Sequence, residues 1–297
     1  MPRILAPCIL GKKMGRRTYY RRNKGIRWDL ILFGLGAVLL MVYGCLQYKT
    51  IKDQESYERT SVRVEELKDY SAETQHDTWM RDYAIRTQED EQDSDLIKEA
   101  NKDAIEISYQ RLFEANEDMI GWLKIPGTEI DYPVMQTMED EEYYLRRNFF
   151  GEKDNNGTLI LDTDSDITKT SNNLIIHGHN MKSGVMFAGL VDYEEEEFLK
   201  EHRQIEFHTR DEERKYEVIA VFRSKVYTTE DNVFKYYQFF EAENQEEFDD
   251  FYDNIKKLSI FDTGVTAQYG DEFITLSTCI YHTTNGRLVV VGKRIVE

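Results

Sequence analysis

From about Asn116 to the C-terminus the chain alternates short apolar runs with polar breaks, at the two-residue period of half-buried strands. Eight segments rich in β-branched and aromatic residues are predicted as strands: 121–125, 130–136, 158–162, 173–177, 204–208, 215–226, 272–278 and 287–296. Pro126-Gly127, Asn155-Asn156-Gly157 and Asp211-Glu212-Glu213 supply turns between them. Helical spacing is confined to 141–147, 185–190 running on toward Lys200, and 245–258. Many short strands with few helices predict a mainly β fold, an eight-stranded closed or nearly closed barrel with peripheral helices.

The first third follows other patterns. Leu30 to Leu46 is uncharged and almost wholly apolar, about the minimum for a helix crossing the hydrocarbon core, with Trp28, Tyr43 and Tyr48 suited to its interfaces. Residues 51–112 are dense in charge, contain neither Pro nor Gly, and carry spaced apolar positions such as Val62, Leu67, Tyr70, Leu96, Ile105 and Leu112. That is a helical stalk with a thin apolar stripe, interrupted at the acidic run 89–95. The expected organisation is a basic tail over 1–28, a transmembrane helix over 29–48, an acidic stalk over 49–112 and a β-barrel domain over 113–297.

Charge then orients the chain. The net charge is −18, yet nine basic residues and no acid precede Trp28, so everything beyond is more acidic than the average. Basic residues before an apolar helix predict a single-pass membrane protein with its N-terminus in the cytoplasm and its bulk outside the cell. An acidic body is a poor partner for nucleic acid. A cleaved signal peptide is the rival reading, but its basic region would be unusually long and no Ala-x-Ala site follows. Lipidation at Cys45 is disfavoured by the bulky Tyr43 two residues before it.

Chemistry concentrates near the C-terminus. Cys279 ends the predicted strand 272–278, and Arg287 opens the next after a short polar loop, so a thiol and a guanidinium face one another across a turn. Cys279 is also the single cysteine after the apolar helix, hence without an intrachain disulfide partner, and an unpaired extracellular thiol suits a nucleophile. Gly178 after the apolar run 174–176 allows a turn that places His179 at a strand end, where an imidazole can serve a thiol as base. Glycine-rich phosphate loops, Cys-x-x-Cys pairs and Gly-x-Ser-x-Gly elbows are absent from the sequence.

Thr275-Leu276-Ser277-Thr278-Cys279 with Arg287, and the earlier Ile176-His177-Gly178-His179-Asn180-Met181, resemble the sortases, bacterial cysteine transpeptidases, and class B among them. The resemblance runs in matching order from about Asn116 to the end. It implies an eight-stranded sortase-type barrel with an inserted helix where 245–258 lies. It implies Cys279 as nucleophile, His179 as general acid and base, and Arg287 as the group that holds the substrate carbonyl and stabilises the oxyanion. The cleft would be lined by Leu145, Thr229, Val233, Phe234 and Ser277. Implied partners are surface proteins with an Asn-Pro-x-Thr-Asn or (Ser/Pro/Asn)-Pro-x-Thr-Gly sorting signal, cleaved after Thr, and a peptidoglycan or pilin amine that accepts them. Glu141 stands where some members carry Asn, Val233-Phe234 replaces a Tyr-Ile pair, and His177 replaces a frequent Tyr.

No cofactor and no metal is called for. His177-x-His179 with Cys279 or His282 can be drawn as a zinc site, but no fixed ligand spacing supports it. Glu194 to Glu197 lack the alternating oxygen ligands of a calcium loop. His76, His202 and His208 read as surface or packed histidines. Two rival functions stay open: a cysteine endopeptidase with water as acceptor, and an anchored binding module without turnover.

Overall fold

A computed structural model describes residues 28–86, 109–167, 173–280 and 283–296, with backbone alone for 28–31 and 69–86. The acidic run 89–95 and His282 lie outside what is described, as does the side chain of His76. Two compact units divide the chain, residues 1–46 and 47–297.

In the second unit eight strands close a barrel. They are β1 (Met119–Lys124), β2 (Asp131–Met135), β3 (Leu159–Leu161), β4 (Asn173–Gly178), β5 (Gln204–His208), β6 (Glu213–Lys225), β7 (Phe273–Cys279) and β8 (Gly286–Arg294). Around the barrel they run β1-β2-β3-β4-β7-β8-β6-β5, with β5 returning to β1. Two pairs are parallel, β2 with β3 and β4 with β7; the others are antiparallel. All eight strands expected from the apolar pattern are present.

Strand alternation sorts the side chains. Leu174 and Ile176 of β4, Ile274 and Leu276 of β7, and Leu288 and Val290 of β8 fill the barrel interior with Leu123, Val134, Phe207 and Val218. The opposite parity, Phe273, Val289 and Val291, faces outward and is roofed by α4 (Gln245–Leu258), whose Phe248, Phe251 and Ile255 complete a second core. Asn244 caps that helix, its side chain accepting from the Glu247 N–H, and the first turn is acidic and the last basic, as the helix dipole favours. The segment expected as helix over 141–147 is a 3₁₀ turn (Tyr143–Arg146), and 185–200 divides into a 3₁₀ segment (Phe187–Glu194) followed by α3 (Glu196–Glu201).

The N-terminal helix, α1 (Trp28–Arg86), is continuous through the apolar stretch and into the charged region. It is the one helix among the described residues long and apolar enough to cross a membrane. In the 47–297 unit it lies on the barrel from Asp53 to Lys68. Ser56 Oγ donates to Asp154 Oδ2 at 2.7 Å, Asn156 Nδ2 donates to the Asp53 carbonyl at 2.7 Å, Arg63 pairs with Glu152 at 2.7 Å, and Lys68 Nζ stands 3.6 Å from the Trp122 ring centroid. Val64 is buried there, and so are Leu112 and Phe113 of α2, described over residues 109–115.

Candidate active site

Sheet pairing brings three sequence-distant residues to one edge. Cys279 is the last residue of β7, and its register partner on antiparallel β8 is Arg287. Strand β4 runs parallel to β7 with Gly178 opposite Thr278, so His179, the next residue, continues the row beside Cys279. Parity places all three on the outer face, because Thr278, Leu288 and Ile176, each odd-numbered steps from them along the strands, point inward. Register partners in neighbouring strands lie about 5 Å apart; Cys279 and Arg287 are such partners, and His179 stands one residue beyond the β4–β7 pairing at the same sheet edge.

Packing explains why the row ends so sharply. A Cβ on Gly178 would stand 2.5 Å from Leu159 Cδ2 and 2.6 Å from Phe187 Cδ2, so only glycine lets β4 pass its neighbours before the chain turns out at His179. Asn180 Nδ2 donates to the Cys279 carbonyl at 3.0 Å, and the Ile280 N–H donates to the Gly286 carbonyl at 3.1 Å. The peptide after the thiol is thereby held from both sides, once by the His179 loop and once by β8.

Hydrogen bonding assigns the imidazole's tautomer. His179 Nε2 is 2.8 Å from the Leu145 carbonyl, which can only accept, so Nε2 carries the proton and Nδ1 is the basic nitrogen of the neutral ring. Burial, aided by nearby Arg146, holds His179 below the usual histidine range against the opposing pull of the Leu145 bond. At neutral pH the ring is uncharged and can accept a proton at Nδ1. Cys279 is half-buried and unpaired in any disulfide. The Arg287 guanidinium bonds the Gly286 carbonyl at 3.1 Å, and among the described residues no carboxylate pairs with it.

The expected cleft residues divide. Leu145 is half-buried and touches the site through its carbonyl bond to His179. Thr229 and Val233 are exposed on the loop after β6, whereas Phe234 packs on Phe251 of α4, ring centroids 5.9 Å apart. Ser277 is buried two residues before Cys279, and its hydroxyl lies 2.7 Å from that of Tyr236, itself buried. Ser277 therefore braces the floor. Tyr236 was not singled out from the sequence; the fields of both Arg287 and Cys279 act on it, and burial pushes its phenol up to about 12. Its only sequence signal is a place in the aromatic run Phe234 to Tyr237.

His177, on the same face as His179, directs Nε2 to Asp162 Oδ2 at 3.3 Å and has Ser277 as its register partner. Both histidines direct Nε2 to oxygen acceptors, and His282, one of the drawn zinc ligands, lies outside the described residues. Beside them Glu141 is raised above the usual carboxylate range by burial and then by Asp162. His202 bonds the Pro126 carbonyl at 2.9 Å, consistent with a packed residue. Glu206, His208 and Glu213 form the one His–carboxylate group near enough to share an ion among the described residues, but they lie on β5 and β6 with Lys215 3.4 Å from Glu213.

A barrel that closes through parallel β4–β7 pairing and carries Cys, His and Arg at that edge defines a class that comparison identifies. The sortase domain family matches residues 123–295, and the chain belongs to the sortase family. Its likeness is to class B: it is 36% identical to sortase B of Listeria monocytogenes over 188 residues, 63% of this chain and 73% of that protein. The Staphylococcus aureus sortase B–substrate complex superposes with a TM-score of 0.56 at 30% identity, over 63% of this chain and 84% of the other. Bacillus anthracis sortase B in complex with AAEK1 gives 0.56 at 31% identity, over 64% and 85%. The chain is thus a sortase, a transpeptidase by family.

Proposed function

We propose that this protein is a membrane-anchored cysteine transpeptidase, N-terminus in the cytoplasm and barrel outside the cell, that cleaves a C-terminal sorting motif after Thr and transfers the protein to a peptidoglycan amine. The observation that carries the reading is the register of Cys279 with Arg287 on one side and the His179 row on the other.

In the first half-reaction the Cys279 sulfur attacks the Thr carbonyl carbon and its proton passes to His179 Nδ1. Arg287 stabilises the oxyanion. His179 then protonates the departing amine as the C–N bond breaks, leaving a thioester. In the second half an amine attacks that thioester, the C–S bond breaks, and His179 carries a proton back to the sulfur. Thr229, Val233 and Phe234 are the proposed motif-side wall, with Leu145 and Ser277 closing the floor. A panel of Asn-Pro-x-Thr-Asn and (Ser/Pro/Asn)-Pro-x-Thr-Gly peptides, incubated with the full chain in detergent with and without added amine, tests the reading by mass spectrometry. Amide product that grows with amine supports transpeptidation; acid product alone supports the endopeptidase; neither product, with function intact in Cys279→Ala, supports a binding module.

A further inference from the structure

The second half-reaction poses a proton count that His179 alone does not meet. An alkylamine at neutral pH arrives as an ammonium bearing three protons, and the amide it becomes keeps one. His179 Nδ1, emptied when the first leaving group departed, takes one of the remaining two and returns it to sulfur. The other must leave before attack, because an ammonium has no lone pair. Water as acceptor would raise no such demand.

We propose that His177, paired with Asp162, is a second base in this site, which takes the first proton from the incoming ammonium. Asp162 Oδ2 accepts from His177 Nε2 at 3.3 Å, which fixes the ring and leaves Nδ1 as the free lone pair. His177 lies opposite Ser277, which is two residues from Cys279 on the same strand face. Strand spacings put its Cα roughly 8 Å from that of Cys279, within reach of an amine approaching the thioester along the floor. The side chain is 26% exposed, whereas Asp162 is 14% exposed, so the base meets solvent and its carboxylate partner sits behind it. Asp162 follows β3, and Glu141 lies near enough for the charges of both Asp162 and His177 to act on it, giving countercharge to an imidazolium and attraction to an ammonium. The steps balance: the first proton goes to His177 Nδ1 and on to solvent, the nitrogen lone pair forms the C–N bond, the C–S bond breaks, and the second proton passes through His179 to sulfur.

The proposal rests on the transpeptidase reading, and the test separates the two. The full chain in detergent is loaded to its thioester with whichever sorting peptide reacts, then mixed at pH 7 with ethylamine, an ammonium there, or with hydroxylamine, which is neutral and needs one proton acceptor only. His177→Phe, His177→Tyr and Asp162→Asn are each expected to lower the ratio of ethylamine to hydroxylamine reaction rates by about tenfold or more, with the gap narrowing as pH rises toward that of free ethylamine. A ratio equal to wild type, whatever the absolute rates, overturns the second-base role and leaves transpeptidation standing. Failure of the wild type to form a thioester overturns the transpeptidase reading and this proposal with it. A role limited to holding the floor in shape would slow both amines equally.

Discussion

Removing the Tyr236 hydroxyl, as in Tyr236→Phe, isolates the bond that supports the floor of the site. Tyr236 and Ser277 are 1% and 2% exposed and their oxygens stand 2.7 Å apart. With the phenol pushed up to about 12, Tyr236 keeps its proton throughout the neutral range. A bond between two neutral groups is worth about 1 kcal/mol net, but stranding a buried partner costs about 1–3 kcal/mol. For a folded unit near 250 residues each kcal/mol moves Tm by roughly 2–4 °C, so a mid-range loss near 2 kcal/mol lowers Tm by roughly 4–8 °C. Ser277→Ala should cost a similar amount by stranding the phenol. The double variant should cost less than the sum by about 1 kcal/mol, since it removes both ends of one bond. Near-UV circular dichroism melts of the four proteins in one detergent supply the cycle. Strictly additive losses, or no loss in either single variant, would refute the claim that this pair holds the floor.

Arg287→Ala should slow thioester formation by about 10²–10³-fold through loss of the oxyanion partner, and Arg287→Lys should restore only part of it; single-turnover mass spectrometry reads both. Gly178→Ala forces a methyl against Leu159 and Phe187, and overpacking of this kind costs about 1–3 kcal/mol; a lowered Tm with slowed thioester formation is expected, because His179 is the next residue. Acidification gives a third test. Burial lowers the folded-state His179 value below 6.5, so its stabilising effect is complete above about pH 6.5 and is lost as pH falls through the folded value. His179→Gln should therefore lose less stability than wild type between pH 7 and 5 in urea titrations, and equal losses would contradict the burial argument.

The strands were readable because each carries its own two-residue pattern, which does not depend on what it pairs with. Cys279 and Arg287 were readable together for the same local reason: one turn joins their strands, and antiparallel pairing makes them partners. His179 is different. Gly178 marks it as a strand end, but it is brought toward Cys279 only through parallel pairing of strands a hundred residues apart, for which no local periodicity exists, and resemblance alone joins the two. Tyr236 and Asp162 were missed on that ground too, since each acts through one long-range bond. The stalk shows a subtler failure. Val62, named for the apolar stripe, is 57% exposed, whereas Val64 is buried against the barrel. Helix α1 docks largely through Asp53, Ser56, Thr60 and Arg63, and polar docking surfaces look like solvated faces when read one residue at a time. The 3₁₀ turn at Tyr143–Arg146 is likewise tied by a distant partner, its Tyr144 hydroxyl donating to Asp118 Oδ2 at 2.9 Å.

The most direct measurement is intact-mass analysis of the full chain quenched in acid during reaction with a sorting peptide. The account predicts an adduct equal to the peptide through its Thr, mapped to Cys279, removed by hydroxylamine and absent from Cys279→Ala. Product released with no such adduct under any quench, or turnover that survives Cys279→Ala, would contradict it.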